Sequence, residues 1–204
     1  GYQQRSTDTF FRAKEQLEAG AIGQVTMALT YWYQNYARNS PDAIQVDASK
    51  LDWKAWLGSA PDRPFDKVRF RTWRWFWDYG GGTLTDLFSH WVDSVHWLMG
   101  ESKPSYVMAS GSIYHNRHLE APDTVSGSWR YNKFMVSYES TMVTGLEDGG
   151  IIFRGTEGMM KVNRAVTIVY PEKGARWDRL TEPTFQFKAQ SDGTAAHIAN
   201  WLDC

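Results

Sequence analysis

Cysteine is almost absent from the sequence, which has a single one, Cys204, at its last position. One thiol cannot form an internal disulfide or a multi-thiolate zinc site, so stability must come from packing. Charge of one sign is lacking as well, because 22 Lys and Arg residues balance 23 Asp and Glu residues, for a net charge of −1. Concentrated positive charge supplies most of the affinity for nucleic acids and anionic membranes, and we expect neither partner.

Long apolar runs are missing too. No stretch approaches the roughly 18 apolar residues of a membrane helix, and the opening GYQQRSTDTF lacks the apolar centre of a signal peptide. We therefore expect a soluble protein, with the cytoplasm and the periplasm both open because any signal would precede Gly1. The length of 204 residues fits one domain with a sizeable core.

The order of the predicted elements favours an α+β fold. A helix over FFRAKEQLEAG precedes a long strand from Ile22 to Gln34, and a second long helix follows the glycine triplet 80–82. From Pro104 onward, alternating runs separated by turn signals predict five or six successive antiparallel strands, a β-meander. We predict an open, mostly antiparallel β-sheet with helices on one face. An aromatic outer face would mediate homo-oligomerisation, and its candidates are Trp32, Tyr33, Trp129 and Tyr138.

The helix after the glycines has two distinct faces. Successive residues differ by about 100°, which places five apolar side chains on one buried stripe: Leu84, Leu87, Trp91, Val95 and Leu98. The opposite face carries Asp86, His90, Asp93 and Trp97. His90 can take a proton from an alcohol while Asp86, one turn earlier, fixes its tautomer or binds the neighbouring hydroxyl. The alternative for an isolated D-x-x-x-H pattern is a helix cap or a surface ion pair at Asp86.

An aromatic segment and the glycine triplet precede this helix. The segment from Arg71 to Tyr79 has side chains suited to stacking on sugar faces and to hydrogen-bonding hydroxyls; a core-facing strand is the alternative. The predicted substrate-binding residues are Arg74, Trp75, Trp77 and Tyr79 from this segment, and Asp93 and Trp97 from the helix. Three further residues, Gly80, Gly81 and Gly82, allow close approach of a ligand, such as a cofactor, or of another chain, or form only a flexible turn.

The remaining histidines are scattered and do not define a metal site. His115 and His118, near a predicted strand end, could bind a metal together with Glu120. Solvated loop residues are the competing interpretation, and we predict that no metal is bound.

Several segments resemble the carboxyl-terminal half of the glucose-fructose oxidoreductase / inositol dehydrogenase / MocA (Gfo/Idh/MocA) family, essentially from end to end. They are GYQQRS, EAGAIGQV, LDWKAWLGSAPDRPFD, WRWFWDYGGGTLTDLFSHWVDSVHWLMG, GTEGMMKV and HIANWLDC, and the block GGG-x-L-x-D-x-x-x-H is fairly specific. The resemblance implies NAD(P)-dependent oxidoreductases with an amino-terminal Rossmann domain. Their carboxyl-terminal α+β domain holds a sugar or cyclitol substrate and commonly forms the oligomer through its sheet.

The resemblance also implies roles for single residues. His90 would transfer the proton at the substrate hydroxyl being oxidised, Asp86 would orient the substrate or His90, and Asp93 also matches a family position. Phe88 departs from the commonest family pattern, which has glycine there; the ring either reflects a subgroup or narrows the pocket.

Two family motifs do not occur in the chain: the dinucleotide fingerprint G-x-G-x-x-G and a Glu-Lys-Pro motif whose Lys shares in catalysis. We therefore expect residues 1–204 to be a single substrate-binding and oligomerisation domain, truncated at both ends and inactive alone. NAD or NADP would be bound mainly by the absent amino-terminal domain. Two alternatives stay open, an NAD-dependent glycoside hydrolase of the same family and a non-catalytic carbohydrate-binding or assembly module.

Overall fold

A computed structural model describes residues 1–36, 41–174, 176–177 and 181–204. Within these ranges one sheet contains β1 (Val25–Tyr33), β2 (Tyr106–Ser112), β3 (Thr124–Arg130), β4 (Met135–Thr141), β5 (Gly149–Gly155), β6 (Gly158–Val162), β7 (Val166–Pro171) and β8 (Phe185–Lys188). The α-helices are α1 (Asp8–Glu18), α2 (Trp53–Leu57), α3 (Lys67–Arg71), α4 (Ser89–Met99) and α5 (Thr194–Leu202). None of the helices in these ranges has the length and apolar character needed to cross a membrane.

The first strand of the chain lies in the middle of the sheet. The strand order is β2-β3-β4-β1-β5-β6-β7-β8, with β1 parallel to β4 and every other neighbouring pair antiparallel. The predicted single meander is therefore wrong in one respect, because β1 separates two meanders, β2–β4 and β5–β8. The sequence VTMALTYWY, rich in β-branched and aromatic residues, suits such a central, largely covered position.

One face of the sheet packs against α1 and α4. Alternate residues of β1, namely Ala28, Thr30 and Trp32, are buried, and the Trp32 ring lies 5.9 Å from that of Trp91 on α4. Phe10 of α1 stacks on Trp91 from the other side of this layer, at 6.5 Å. Each large apolar side chain buried here contributes roughly 1.5–3 kcal/mol. The predicted α+β architecture, an open sheet with helices on one face, is confirmed.

Three of the four aromatic residues predicted for the outer face lie on the inner face instead. Trp32, Trp129 and Tyr138 are buried, and the rings of the last two lie 4.2 and 4.7 Å from that of Phe88. Successive side chains of a strand point to opposite faces, so Trp32 and Tyr33 cannot share one. Of the four, Tyr33 alone belongs to the open face.

The predicted second long helix consists of a π-helical turn, Leu84–Phe88, followed by α4. The predicted apolar stripe is confirmed, since Leu87, Trp91, Val95 and Leu98 are buried and Leu84 packs against the core. Gly100 ends the helix with φ of 69°, the left-handed conformation that favours glycine. π-Helical turns are frequent at functional sites, and this one carries Asp86.

Candidate active site

A cavity of about 430 Å³ lies beside the π-helical turn and the start of α4. Its size falls in the range of small-molecule sites, roughly 300–1,000 Å³. Separate parts of the chain, from the end of β1 to the turn between β6 and β7, contribute to its walls. The charged, imidazole and amide side chains on its walls are Arg71, Arg74, Asp86, His90, Asn116, His118 and Arg164.

His90 is the candidate base on this wall, and its partner is Gln4. The Nδ1 atom of His90 lies 3.2 Å from Oε1 of Gln4, whose side chain is fully buried in the 3₁₀-helix Gln3–Ser6. With Nδ1–H donating to the amide oxygen, Nε2 keeps its lone pair and can accept a proton. Tyr2 packs edge-on against the imidazole, with ring centroids 5.6 Å apart. Sequence reasoning missed Gln4, although the segment GYQQRS contains it.

The surroundings of His90 favour the uncharged ring. Burial lowers the pKa of His90 below its ordinary value of 6.5, and the positive charge of Arg164 lowers it further, whereas Asp86 opposes both effects. Most of the imidazole is therefore neutral at pH 7, which is the form that accepts a proton.

Asp86 is fixed by an arginine. Its Oδ2 atom lies 2.9 Å from Nε of Arg74, and the Arg74 guanidinium lies 4.3 Å from the ring centroid of Trp73. Asp86 and Arg74 both line the cavity, as does His90. The structure thus brings the two predicted catalytic residues to one cavity and gives each a separate partner, Arg74 for Asp86 and Gln4 for His90.

The aromatic segment divides between the cavity wall and its surroundings. Trp75 is 5% exposed, lines the cavity and packs against Tyr36 at 5.1 Å between ring centroids. Trp77 is 60% exposed and lies outside the cavity wall. Tyr79 packs against Trp56 at 4.9 Å, also outside the wall. Trp73–Trp75 form a 3₁₀-helix, so the alternative of a core-facing strand is wrong about the strand, but Trp75 and Phe76 do belong to the core.

The far end of the same helix face is covered by the amino-terminal part of the chain. Asp93 accepts two hydrogen bonds of 2.8 Å from the Arg5 guanidinium, and Trp97 packs edge-on against Phe11 of α1 at 5.4 Å. Neither Asp93 nor Trp97 lines the cavity. Arg5 and Phe11 thus cover these two predicted substrate-binding residues. Asp86 and His90, in contrast, line the cavity.

The three glycines of the triplet pack closely against other residues of the same chain. A Cβ atom at Gly80 would lie 2.8 Å from the carbonyl oxygen of Arg74, and one at Gly82 would lie 2.9 Å from Cβ of Ala121. Gly82 also has φ of 68°, where a side chain is strained. The triplet does not line the cavity, and side chains at these positions would meet atoms of the same chain.

Two other predicted features have structural roles. Phe88 is buried under the sheet and lies outside the cavity wall, so it does not narrow the pocket. Glu120 forms an ion pair with Arg69 and accepts a hydrogen bond from the backbone N–H of Trp77. Across the part of the chain that the structure describes, no group of three or more His, Cys, Asp or Glu residues is arranged to hold a metal ion.

Asn116 and Arg164 are cavity residues that sequence reasoning missed. Asn116 is 4% exposed and follows a turn organised by Asp123, whose carboxylate accepts its backbone N–H at 2.8 Å. Arg164 lies in the turn between β6 and β7. Asn and Asp residues are typical of such turns; they indicate where the chain reverses, but they do not indicate which cavity the turn meets.

The fold and this cavity define an α+β domain with an imidazole and a carboxylate on the wall of one cavity. The chain belongs to the GFO/IDH/MocA family, whose C-terminal domain model matches residues 10–161. No curated protein is significantly similar to the chain in sequence.

Solved structures share the fold at low sequence identity. An oxidoreductase from Thermotoga maritima matches with a TM-score of 0.61 and 15% identity over 98% of this chain and 49% of that chain. Levoglucosan dehydrogenase in complex with NADH and levoglucosan matches with a TM-score of 0.59 and 20% identity over 91% and 46%. The WlbA dehydrogenase from Bordetella pertussis, in complex with NADH and UDP-GlcNAcA, matches with a TM-score of 0.57 and 21% identity over 100% and 52%. The chain spans about half the length of these structures.

Proposed function

We propose that this chain is the substrate-binding domain of an NAD(P)-dependent oxidoreductase that oxidises a hydroxyl group of a sugar or cyclitol. The observation that carries the proposal is His90, half-buried on the cavity wall, with a lowered pKa and with Nδ1 held by Gln4. Membership of the GFO/IDH/MocA family supports it. So do the sugar ligands of two similar structures, levoglucosan in one and UDP-GlcNAcA in the other.

The residues of this chain handle the proton in the proposed reaction. The substrate hydroxyl donates its proton to Nε2 of His90 while the hydrogen on the same carbon leaves as a hydride, so the alcohol loses two electrons and becomes a carbonyl. Bound NAD or NADP supplies the hydride acceptor. The Asp86–Arg74 pair binds a neighbouring hydroxyl of the sugar. This contact positions the reacting hydroxyl beside the imidazole of His90.

We propose that the cofactor is held mainly by a preceding domain and that residues 1–204 alone do not turn over. The lack of a G-x-G-x-x-G dinucleotide fingerprint in these 204 residues supports this. The test compares the 204-residue chain with the complete polypeptide, each with oxidised cofactor and a panel of sugars and cyclitols.

Net formation of NAD(P)H by the complete polypeptide, lost on His90→Ala, is the expected result. Turnover by residues 1–204 alone would contradict the assignment of the cofactor site. Glycoside cleavage without net NAD(P)H would instead identify a hydrolase. Sugar binding that is unchanged by His90→Ala, with no turnover in the complete polypeptide, would identify a binding module.

We also propose that the open face of the sheet forms a homo-oligomer. The β-strand alternation places Leu29, Tyr31 and Tyr33 of β1 on the face opposite α1 and α4, where they remain partly exposed. Sedimentation of the wild-type protein should give an oligomer, and Tyr31→Glu should dissociate it, because a buried unpaired carboxylate is costly at an interface. Lys54→Glu, on the exposed side of α2, is the matched control. A wild-type monomer would contradict the proposal.

A further inference from the structure

The candidate active site carries more positive charge than negative charge. Three guanidinium groups line the cavity, those of Arg71, Arg74 and Arg164, against one carboxylate, Asp86. Asp86 and Arg74 form an ion pair and offset each other. In residues 1–36, 41–174, 176–177 and 181–204, neither Arg71 nor Arg164 has a carboxylate within ion-pairing distance. Within these ranges, two positive charges on the wall have no ion-pair partner.

Arg164 is held in place by a structured turn. The side-chain oxygen of Asn163 accepts hydrogen bonds from the backbone N–H groups of Ala165 and Val166, at 2.8 and 2.9 Å. The backbone oxygen of Asn163 accepts a hydrogen bond of 2.8 Å from the hydroxyl of Thr9, in α1. The turn between β6 and β7 is thus anchored to the sheet and to α1, and it presents the arginine to the cavity at little further cost in entropy.

The guanidinium of Arg164 lies over two indole rings. Its central carbon is 5.4 Å from the ring centroid of Trp32 and 5.6 Å from that of Trp91. Both rings belong to the core, so this end of the cavity is rigid. Cation–π contacts stabilise a partly desolvated cation, but they leave its N–H groups free to donate.

Two buried donors on the cavity lining lack partners. Nε of Arg164 and Nδ2 of Asn116 are inaccessible to solvent and make no hydrogen bond within the described parts of the chain. Asn116 is 96% buried, as its exposed fraction is 4%. Unpaired buried donors are costly, and the cost is greatest for a charged group. A ligand group that accepts hydrogen bonds would satisfy either donor.

Asp148 is the acidic residue with the largest electrostatic effect on Arg164. Burial lowers the pKa of Arg164, and the charge of Asp148 raises it. The Asp148 carboxylate nevertheless accepts a hydrogen bond of 2.9 Å from the side-chain amide of Gln34. Among the described residues no ion pair joins Asp148 to Arg164, so the guanidinium can bind an anionic ligand.

We propose that the substrate is a sugar or cyclitol bearing a carboxylate or phosphate group, and that Arg164 binds this group. A planar guanidinium matches either anion through two parallel hydrogen bonds. A neutral polyol would leave this half-buried positive charge without an anionic partner. Arg71, exposed on α3 at the same cavity, adds attraction that acts at a distance. This inference rests on the proposed function, because it specifies the substrate of the same cavity.

The test compares charged and neutral sugars that differ little in shape. Glucuronate, its neutral amide, glucose 6-phosphate and glucose are titrated into the complete polypeptide by calorimetry, and each is assayed with oxidised cofactor. The variants are Arg164→Met, which retains packing on the indoles, Arg164→Lys and Arg71→Gln. Arg12→Gln is the matched control, because Arg12 is 47% exposed on α1 and pairs with Glu15.

We expect one or both anionic sugars to bind about 10- to 100-fold more tightly than the neutral pair, and Arg164→Met to abolish the difference. Arg164→Lys should restore part of it. Arg71→Gln should weaken anion binding at low salt and have little effect at high salt, because exposed charges are screened. The ratio of carboxylate to phosphate binding identifies the group that the site takes.

Equal affinity for charged and neutral sugars would overturn this inference. So would an anion preference that survives Arg164→Met with the fold intact, as judged by thermal unfolding. In either case, oxidation of a neutral sugar that depends on His90 would leave the proposed function standing. Failure of all sugars to be oxidised would count against the proposed function, even if anions bound through Arg164.

Discussion

The two halves of the helix that begins at Leu84 follow one sequence pattern and have different surroundings. In the first half, Asp86 and His90 line a cavity of about 430 Å³. In the second half, Asp93 and Trp97 lie on the continuation of the same face and are covered. Helical periodicity assigns residues to a face, but segments far away in the sequence decide whether that face remains open.

An arginine pairs with a carboxylate in each half, with different consequences. Arg74 is exposed and pairs with Asp86 at the edge of the cavity, at 2.9 Å. Arg5 binds Asp93 bidentately and closes the helix surface, at 2.8 Å for both bonds. Both arginines are 47% exposed, so the pairs differ in place: the first lies on the cavity wall, and the second joins the amino-terminal segment to α4.

Replacing His90, the proposed base, should produce the largest difference in activity between substitutions in the two halves of the helix. His90→Ala should lower kcat of the complete polypeptide by about 10²- to 10⁴-fold, the usual contribution of general base catalysis, with little change in substrate affinity. Steady-state kinetics and calorimetry check both quantities. His115→Ala is the control, since the exposed His115 is bonded through its backbone to Asp123. Retained turnover in His90→Ala would remove the functional distinction between the halves.

Substitutions of buried apolar residues beneath the helix should lower the free energy of unfolding and leave the reaction itself unaffected. Phe88→Ala should lower the free energy of unfolding by about 3–5 kcal/mol, because the ring is buried against Trp129 and Tyr138. Trp77→Ala, at a 60% exposed residue, should change it by less than about 0.5 kcal/mol. Urea unfolding measures both. A small effect of Phe88→Ala would place the ring outside the core.

The two carboxylates provide a direct comparison of the halves. Asp86→Asn should lower kcat/KM of the complete polypeptide by about tenfold, the effect of one weakened polar contact to substrate. Asp93→Asn should leave kcat/KM unchanged and lower the free energy of unfolding by less than about 1 kcal/mol, because Arg5 is 47% exposed. An equal loss of kcat/KM in both variants would show that the two halves act as one site.

The smallest expected effect concerns pH. Burial lowers the pKa of His90 and of His96, so the unfolded chain, with histidine near 6.5, binds protons more readily than the folded chain. Stability should therefore fall as the pH decreases below about 6.5. Urea midpoints at pH 7.5 and 5.5 test this, and the double variant His90→Asn/His96→Asn should reduce the pH dependence. If the double variant shows the same change in urea midpoint between the two pH values, groups other than His90 and His96 cause the pH dependence.

Local pattern predicted much of the fold. The stripe from Leu84 to Leu98 and the alternating strands after Pro104 repeat at the helical and strand periods, so they could be recognised from neighbouring residues alone. The insertion of β1 between β4 and β5 could not, because it depends on pairing between segments more than 100 residues apart.

The candidate site was predicted in part for the same reason. Asp86 and His90 lie on one helix, and their spacing was sufficient to bring them to one face. Gln4 contacts His90, and Arg164 lines the cavity, and both come from segments far from α4 in the sequence. Such contacts between distant segments leave no signature in spacing or composition.

The hydrogen bond from His90 to Gln4 ties the imidazole to the first turn of the chain, and Tyr2 touches the same ring. A polypeptide joined at Gly1 enters the domain two to four residues from these contacts. The orientation of the imidazole therefore depends on the first four residues as well as on α4, and a change at Gln4 should alter the His90 side chain without touching the helix that carries it.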